Sequence, residues 1–131
     1  MSEIKQRGEI RFVVESRLPL LALGAGQSPR ARAIELFSNL GVWDTEENNG
    51  VLIYVLLADR DVEIVADRGL NQKVFPEDWE AVCRSMEAHF REGQFEEGSI
   101  AGIEGATRLL SLHFPAQGQT PNELSNPPTL L

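Results

Sequence analysis

The sequence predicts an α/β fold, a three-layer sandwich in which helices cover both faces of a small mixed central sheet. Three observations support this prediction. Residues 8–16 are rich in β-branched and aromatic side chains, residues 51–58 form an unbroken apolar run, and helical periodicity follows the prolines at 29 and 76. These segments give a β-α-β-β core followed by further helices.

The first strand and the first helix are each marked by local signals. In residues 8–16, the apolar side chains alternate with charged or smaller ones, as in a half-buried strand. Ser28 supplies an N-cap, Pro29 occupies the first helical position, and Gly41 ends the helix. Its predicted apolar face consists of Ala33, Leu36, Phe37 and Leu40.

A hairpin is predicted at the centre of the sheet. Residues 51–58 are apolar on both alternating faces, which is typical of a strand covered on both sides. Residues 59–61 are too few for a crossover, so residues 62–66 must return antiparallel. A strand–helix–strand crossover leaves its two strands parallel. The sheet is therefore predicted to be mixed.

Two more helices follow the hairpin. One begins at Pro76 and ends at Gly93, with apolar residues at i, i+3, i+4, i+7 and i+11. The other begins near Phe95, carries Ile100, Ile103, Leu110 and Phe114, and is stopped by Pro115. The apolar positions of the former are Trp79, Val82, Cys83, Met86 and Phe90.

A strip of glycines runs along the last predicted helix. Gly98, Gly102 and Gly105 lie at i, i+4 and i+7, and each costs about 1 kcal/mol relative to alanine in a helix interior. The strip therefore predicts close packing on another element. We assign residues 1–115 to a single domain and residues 116–131 to an extended polar tail.

Length and charge exclude several classes of function. A chain of 131 residues is near the usual size of one domain. The net charge of −8 and the pI of about 4.7 argue against nucleic acid as a partner. No apolar run approaches the ~20 residues of a transmembrane segment, and the single cysteine cannot form an internal disulfide. We expect a cytoplasmic monomer.

Chain connectivity predicts an acidic edge of the sheet. The first helix runs back between the parallel strands, so its C-terminal end lies where the second strand begins. The antiparallel third strand ends at that same edge. Five residues with side-chain oxygens are thereby expected to converge: Asp44, Glu46, Glu47, Asn49 and Asp67.

An acidic edge of this kind suits a hard cation. The C-terminus of a helix carries roughly half a negative charge, and calcium prefers six to eight oxygen ligands. We therefore predict a divalent cation site, with calcium favoured over magnesium. The alternative is a solvated acidic loop in which Asp67 pairs with Arg68.

Other motifs for catalysis or metal binding do not fit. Asp59-Arg60-Asp61 resembles the Asp-x-Asp of some phosphatases, but the chain turns at once into another strand. An EF-hand loop that began at Asp59 would have Ile64 where glycine is required and Leu70 where glutamate is required. Cys83 lies on the apolar face of a helix, which indicates packing in the core.

Several segments together resemble the TPM domain family, in particular its short soluble bacterial branch. These are Asn49-Gly50-Val51-Leu52, Gly69-Leu70 and Phe90-Arg91-x-Gly93-x-Phe95-x-x-Gly98, and the resemblance covers residues 8–124. It implies a compact three-layer fold, calcium binding at the acidic edge in some members, and a weak acid phosphatase activity proposed for a plant relative. Membrane-associated relatives have Gly-Tyr-Gly-Leu at residues 67–70, together with a signal segment and an anchor.

Three functions remain open on the sequence alone. The first is binding of a divalent cation at the acidic edge, and the second is a metal-dependent acid phosphatase acting on phosphomonoesters. The third is a protein-interaction module that uses residues 18–26 or the tail to dock an unidentified protein partner. The sequence does not decide whether the protein is an enzyme.

Overall fold

The fold is built on a mixed sheet, which has four strands in the described part of the chain. The computed structural model describes residues 9–19, 21, 24–45, 49–113 and 129–130. The strands are β1 (Glu9–Glu15), β2 (Gly50–Leu56), β3 (Asp61–Ala66) and β4 (Thr129–Leu130), in the order β3-β2-β1-β4. β1 pairs parallel with β2, and β2 pairs antiparallel with β3. The predicted β-α-β-β core is confirmed.

The fourth strand comes from the C-terminal tail. Thr129 and Leu130 pair in parallel with Val13 and Val14 of β1. The sequence analysis predicted an extended polar tail at residues 116–131 but no pairing with the sheet. Residues 114–128 lie outside the described part of the chain. The described end of the tail therefore belongs to the sheet.

Four helices are described: α1 (Pro29–Asn39), α2 (Arg68–Asn71), α3 (Pro76–Arg91) and α4 (Phe95–His113). α1 begins as predicted, since Ser28 Oγ accepts a hydrogen bond from the Ala31 N–H at 3.1 Å. Gly41 and Gly93 follow α1 and α3 with φ of 71° and 76°, a conformation that favours glycine at helix ends. None of the described helices is both long and apolar enough to cross a membrane.

The sheet is buried on both faces, which accounts for the apolar character of β2. On one face, Phe12, Ile53 and Val55 pack with residues of α3 and α4. On the other face, Leu52 and Tyr54 pack with residues of α1. All seven residues of β2 are buried. The three-layer α/β architecture predicted from the sequence is confirmed.

A buried ionic network joins α1 to the sheet. The Glu15 carboxylate at the end of β1 accepts two hydrogen bonds from Arg32, at 3.0 and 2.8 Å, and one from the Tyr54 hydroxyl at 2.6 Å. Glu15 is 5% exposed and Tyr54 is fully buried. Burial alone would raise the pKa of Glu15, but the hydrogen bonds from Arg32 and Tyr54 reverse that effect and the pKa is lowered. Glu15 therefore stays ionised in the interior.

The glycine strip of α4 packs on α3, as predicted. A Cβ placed on Gly98 would lie 2.6 Å from the Phe90 ring and 3.0 Å from the His89 Cβ. Gly102 faces the buried side chain of Met86 in the same way, and Gly105 faces Val82. The two helices approach closely because these three positions have no side chain.

The substitution Gly98→Ala tests this packing. Alanine has the better helix propensity by about 1 kcal/mol, but overpacking a tight contact costs about 1 to 3 kcal/mol. We expect a net loss in the free energy of unfolding, measured by urea denaturation, because the Cβ of His89 cannot rotate away. Glu104→Ala, at an exposed position of the same helix, should change it by less than about 0.5 kcal/mol. A stabilised Gly98→Ala variant would contradict the packing.

Candidate functional site

The two segments of the predicted acidic edge meet where β2 begins and β3 ends. We define the rim as residues 41–45, 49–50 and 66–68. The Asp67 N–H donates to the Gly50 carbonyl at 2.9 Å, which extends the β2–β3 ladder by one pair. Residues 49–50, at the end of the loop after α1, thus lie beside the end of β3, on the edge that the connectivity predicted.

The end of α1 fixes the path of the loop. The Val42 N–H donates to the Phe37 carbonyl at 3.1 Å, and Val42 is 1% exposed. Its carbonyl oxygen lies so close to Gly50 that a Cβ there would overlap it. A glycine is therefore required where β2 starts, since any side chain would push the loop off the strand.

Asn49 and Asp44 occupy different environments on the rim. Asn49 is 2% exposed, and its backbone N–H donates to the Thr45 hydroxyl at 3.0 Å. Asp44 is exposed, and its backbone N–H donates to the Gly41 carbonyl at 3.0 Å. These two hydrogen bonds fix the backbone at residues 44 and 49, while the Asp44 carboxylate is open to solvent and makes no hydrogen bond or ion pair with a side chain of the described residues.

Asp67 has a structural role that the sequence analysis did not predict. It is the N-cap of the single-turn helix α2, and its Oδ1 accepts a hydrogen bond from the Arg68 backbone N–H at 2.8 Å. The ion pair between Asp67 and the Arg68 guanidinium, considered as an alternative, is not among the ion pairs of the described residues. One carboxylate oxygen of Asp67 thus serves the backbone, and the other remains available.

The described part of the rim carries two carboxylates, Asp44 and Asp67, and the amide of Asn49. Glu46 and Glu47, the other two predicted ligands, lie outside the described residues. Among the described residues, no group of three or more His, Cys, Asp or Glu side chains is arranged to hold a metal ion. The side chains that could bind a metal ion on the rim would do so through oxygen atoms, which hard cations prefer. The metal site stays a prediction.

Cys83 is not suited to nucleophilic chemistry. Burial raises the pKa of its thiol to about 12, and the nearby Glu87, Glu63 and Asp61 carboxylates add to the shift. The reactive thiolate is therefore scarce at neutral pH. The predicted packing of Cys83 in the helix face is confirmed, since it contacts the core that α3 shares with the sheet.

Comparison with known proteins identifies the family. The family model described as the TPM domain matches residues 2–109. The chain belongs to the TPM domain family. The family resemblance noted in the sequence is thereby confirmed, and no curated protein gives a significant match.

Two solved structures show the same fold. The NMR structure of the BA42 protein from the psychrophilic bacterium Bizionia argentinensis is 31% identical, with a TM-score of 0.79, and the match covers 96% of this chain and 82% of that one. The N-terminal domain of a protein from P. gingivalis is 19% identical, with a TM-score of 0.67 over 86% of this chain and 69% of that one. This TPM domain therefore shares its architecture with both.

The substitution Gly50→Ala tests the geometry of the rim. Because the obstacle is the Val42 backbone, we expect a loss of about 1 to 3 kcal/mol in the free energy of unfolding and large shifts of the loop amides in ¹H–¹⁵N spectra. Gly24→Ala is the matched control, since no atom lies within 4 Å of the added methyl. If the two variants lost the same free energy of unfolding and showed the same amide shifts, the close contact between the loop and β2 would be contradicted.

Proposed function

We propose that this TPM domain binds a divalent cation at the rim, through Asp44, Asn49 and Asp67 together with Glu46 and Glu47. Calcium is the favoured ion, because it accepts a flexible set of six to eight oxygen ligands from carboxylates, amides, carbonyls and water. Magnesium demands stricter octahedral geometry and gives up its bound water reluctantly, so we expect it to bind more weakly.

The hydrogen bond from Asp67 to Gly50 is the observation that carries this proposal. It ties the end of β3 to the residue that follows Asn49, so oxygens from two segments that are distant in the sequence share one edge. The free carboxylate oxygen of Asp67 and the exposed carboxylate of Asp44 would each supply a ligand, and the two glutamates would add to them.

The electrostatics of the rim favour a cation. α1 ends at Asn39, just before the loop, and the C-terminus of a helix carries roughly half a negative charge. The chain as a whole has a net charge of −8. No basic side chain pairs with Asp44 or Asp67 among the ion pairs of the described residues. A bound divalent ion would offset this local negative charge.

A calcium titration followed by ¹H–¹⁵N spectroscopy tests the proposal. We expect saturable shifts centred on the amides of residues 44–50 and 67, with a weaker response to magnesium. Asp67→Asn should weaken binding about tenfold or more while keeping the helix cap, because asparagine caps as well as aspartate. Asp44→Asn and the double variant Glu46→Gln/Glu47→Gln should weaken binding as well.

Asp59→Asn is the matched control, since it removes the same charge from the exposed turn at the opposite end of the β2–β3 hairpin. It should leave the affinity unchanged. The proposal fails if no saturable shift occurs up to about 10 mM calcium, well above the dissociation constants of weak calcium modules. It also fails if Asp59→Asn and Asp67→Asn weaken binding equally.

A further inference from the structure

β3 forms an outer edge of the sheet, and its register shows which backbone groups face outward. Hydrogen-bonded pairs in an antiparallel ladder alternate with non-bonded ones, and the pair Gly50–Asp67 is bonded. The alternate residues Val62, Ile64 and Ala66 therefore direct both N–H and C=O away from β2. In an open sheet, such groups are a template for another strand.

Side chains from three helices hold half of these outward groups. The Glu87 carboxylate accepts from the Val62 N–H at 3.1 Å, and the Arg30 guanidinium donates to the Ile64 carbonyl. The Asn71 amide donates to the Ala66 carbonyl at 2.9 Å. We refer to Glu87, Arg30 and Asn71 as the edge guards. They satisfy three of the six outward backbone groups, and no strand pairs with this side of β3 among the described residues.

The other outward groups remain open. The Val62 carbonyl and the N–H groups of Ile64 and Ala66 make no hydrogen bond within the described part of the chain. One acceptor and two donors are thus left along the edge, on alternate residues of β3. A backbone laid alongside β3 could bond to all of them, and its own groups could replace the three edge guards.

A groove runs along this edge, between β3 and α3. Its volume is about 520 Å³, which is in the range of sites that take small or extended ligands. Trp79 lines it on the side of α3, is 7% exposed, and has an indole N–H without an acceptor among the described residues. The α3 side of the groove therefore presents an apolar ring, whose indole N–H has no acceptor among the described residues.

The groove carries an excess of negative charge. It is lined by four acidic residues and two arginines: Asp61, Glu63, Glu80, Glu87, Arg30 and Arg84. Arg30 lies 3.6 Å from the Glu63 carboxylate, and Arg84 lies 3.1 Å from that of Glu80. Among the described residues, Asp61 and Glu87 form no ion pair with a basic side chain.

Asp61 is the least satisfied of these groups. Its Oδ2 atom is buried and has no hydrogen-bond partner within the described residues. Burial, together with the Glu63 carboxylate and the charge of Asp59, raises the pKa of Asp61 to about 7. An incoming ammonium or guanidinium group would supply the missing donor and the missing positive charge.

From these observations, we propose that the groove binds an extended, basic segment of a partner protein, which adds to the sheet as a strand beside β3. Successive side chains of a strand point to opposite faces. Val62 and Ile64 lie on the α3 face, and Glu63 contacts Arg30 of α1 on the other. The segment is therefore expected to alternate apolar residues toward Trp79 with lysine or arginine toward Asp61 and Glu63.

A second copy of this chain is a poorer occupant of the groove. Each copy would bring the same four carboxylates to the shared edge, and the net charge of −8 on each chain adds to the repulsion. A basic partner is instead attracted by the carboxylates of the groove. Charge complementarity thus selects a partner of opposite sign over self-association.

The test uses the peptide acetyl-Lys-Val-Lys-Val-Lys-Val-Lys-amide and the ¹⁵N-labelled full chain. We expect saturable shifts along residues 61–66 and at the Trp79 indole, with slowed hydrogen exchange of the Ile64 and Ala66 amides. Asp61→Asn/Glu63→Gln should weaken binding about tenfold or more. Asn71→Ala should strengthen binding, since it removes an uncharged edge guard that the peptide must otherwise displace.

Two peptides, free lysine amide and one variant serve as controls. The matching Glu-Val peptide should not bind, and replacing the central valine of the Lys-Val peptide with proline should weaken binding because a backbone donor is lost. Asp44→Asn should leave peptide binding unchanged, so failure of the cation proposal and failure of this one are distinguishable. Four results would overturn strand addition: no saturable shift along β3, equal binding of the proline peptide, equal binding of free lysine amide, or dimerisation through β3 in sedimentation.

Discussion

The ionic network of Glu15, Arg32 and Tyr54 is the constraint on which the rest of the structure depends. A carboxylate that is 5% exposed can stay ionised only because a guanidinium and a hydroxyl donate three hydrogen bonds to it. Those bonds join the end of β1, the first turns of α1 and the centre of β2. With its N-terminal part held there, α1 runs back across the sheet and delivers its C-terminal end to the rim.

The β2–β3 hairpin presents two distinct surfaces because β2 is central and β3 is at the edge. At the end where β3 finishes, backbone pairing continues to Asp67 and brings the loop after α1 into contact with the strand. Along the outer side of β3, pairing stops and the edge guards take its place. The rim concentrates oxygen donors suited to an ion, whereas the groove combines carboxylates with backbone groups suited to a strand. The two sites can therefore be tested independently.

Local signals made most of the fold predictable from the sequence. Ser28-Pro29 and Gly41 mark the two ends of α1. The three-residue turn at 59–61 required an antiparallel hairpin, and the glycine strip indicated close packing of α4 on another element, which is α3. Other features have no local signal: α2 is a single turn without periodicity, and β4 is two residues in a polar tail. Contacts such as Glu15 with Tyr54 span 39 residues, and the edge guards depend on the register of β3, so neither could be read from spacing.

The most direct test of the central claim is a double-mutant cycle between Glu15 and Arg32, with the free energy of unfolding measured by urea denaturation. Arg32→Ala should cost about 3 to 5 kcal/mol, because it leaves Glu15 buried without its cation, and Glu15→Gln in that background should recover part of the loss. The amides of α1 and of the rim should lose hydrogen-exchange protection together. Single variants that each cost less than about 0.5 kcal/mol, or a rim that keeps its protection, would contradict the account.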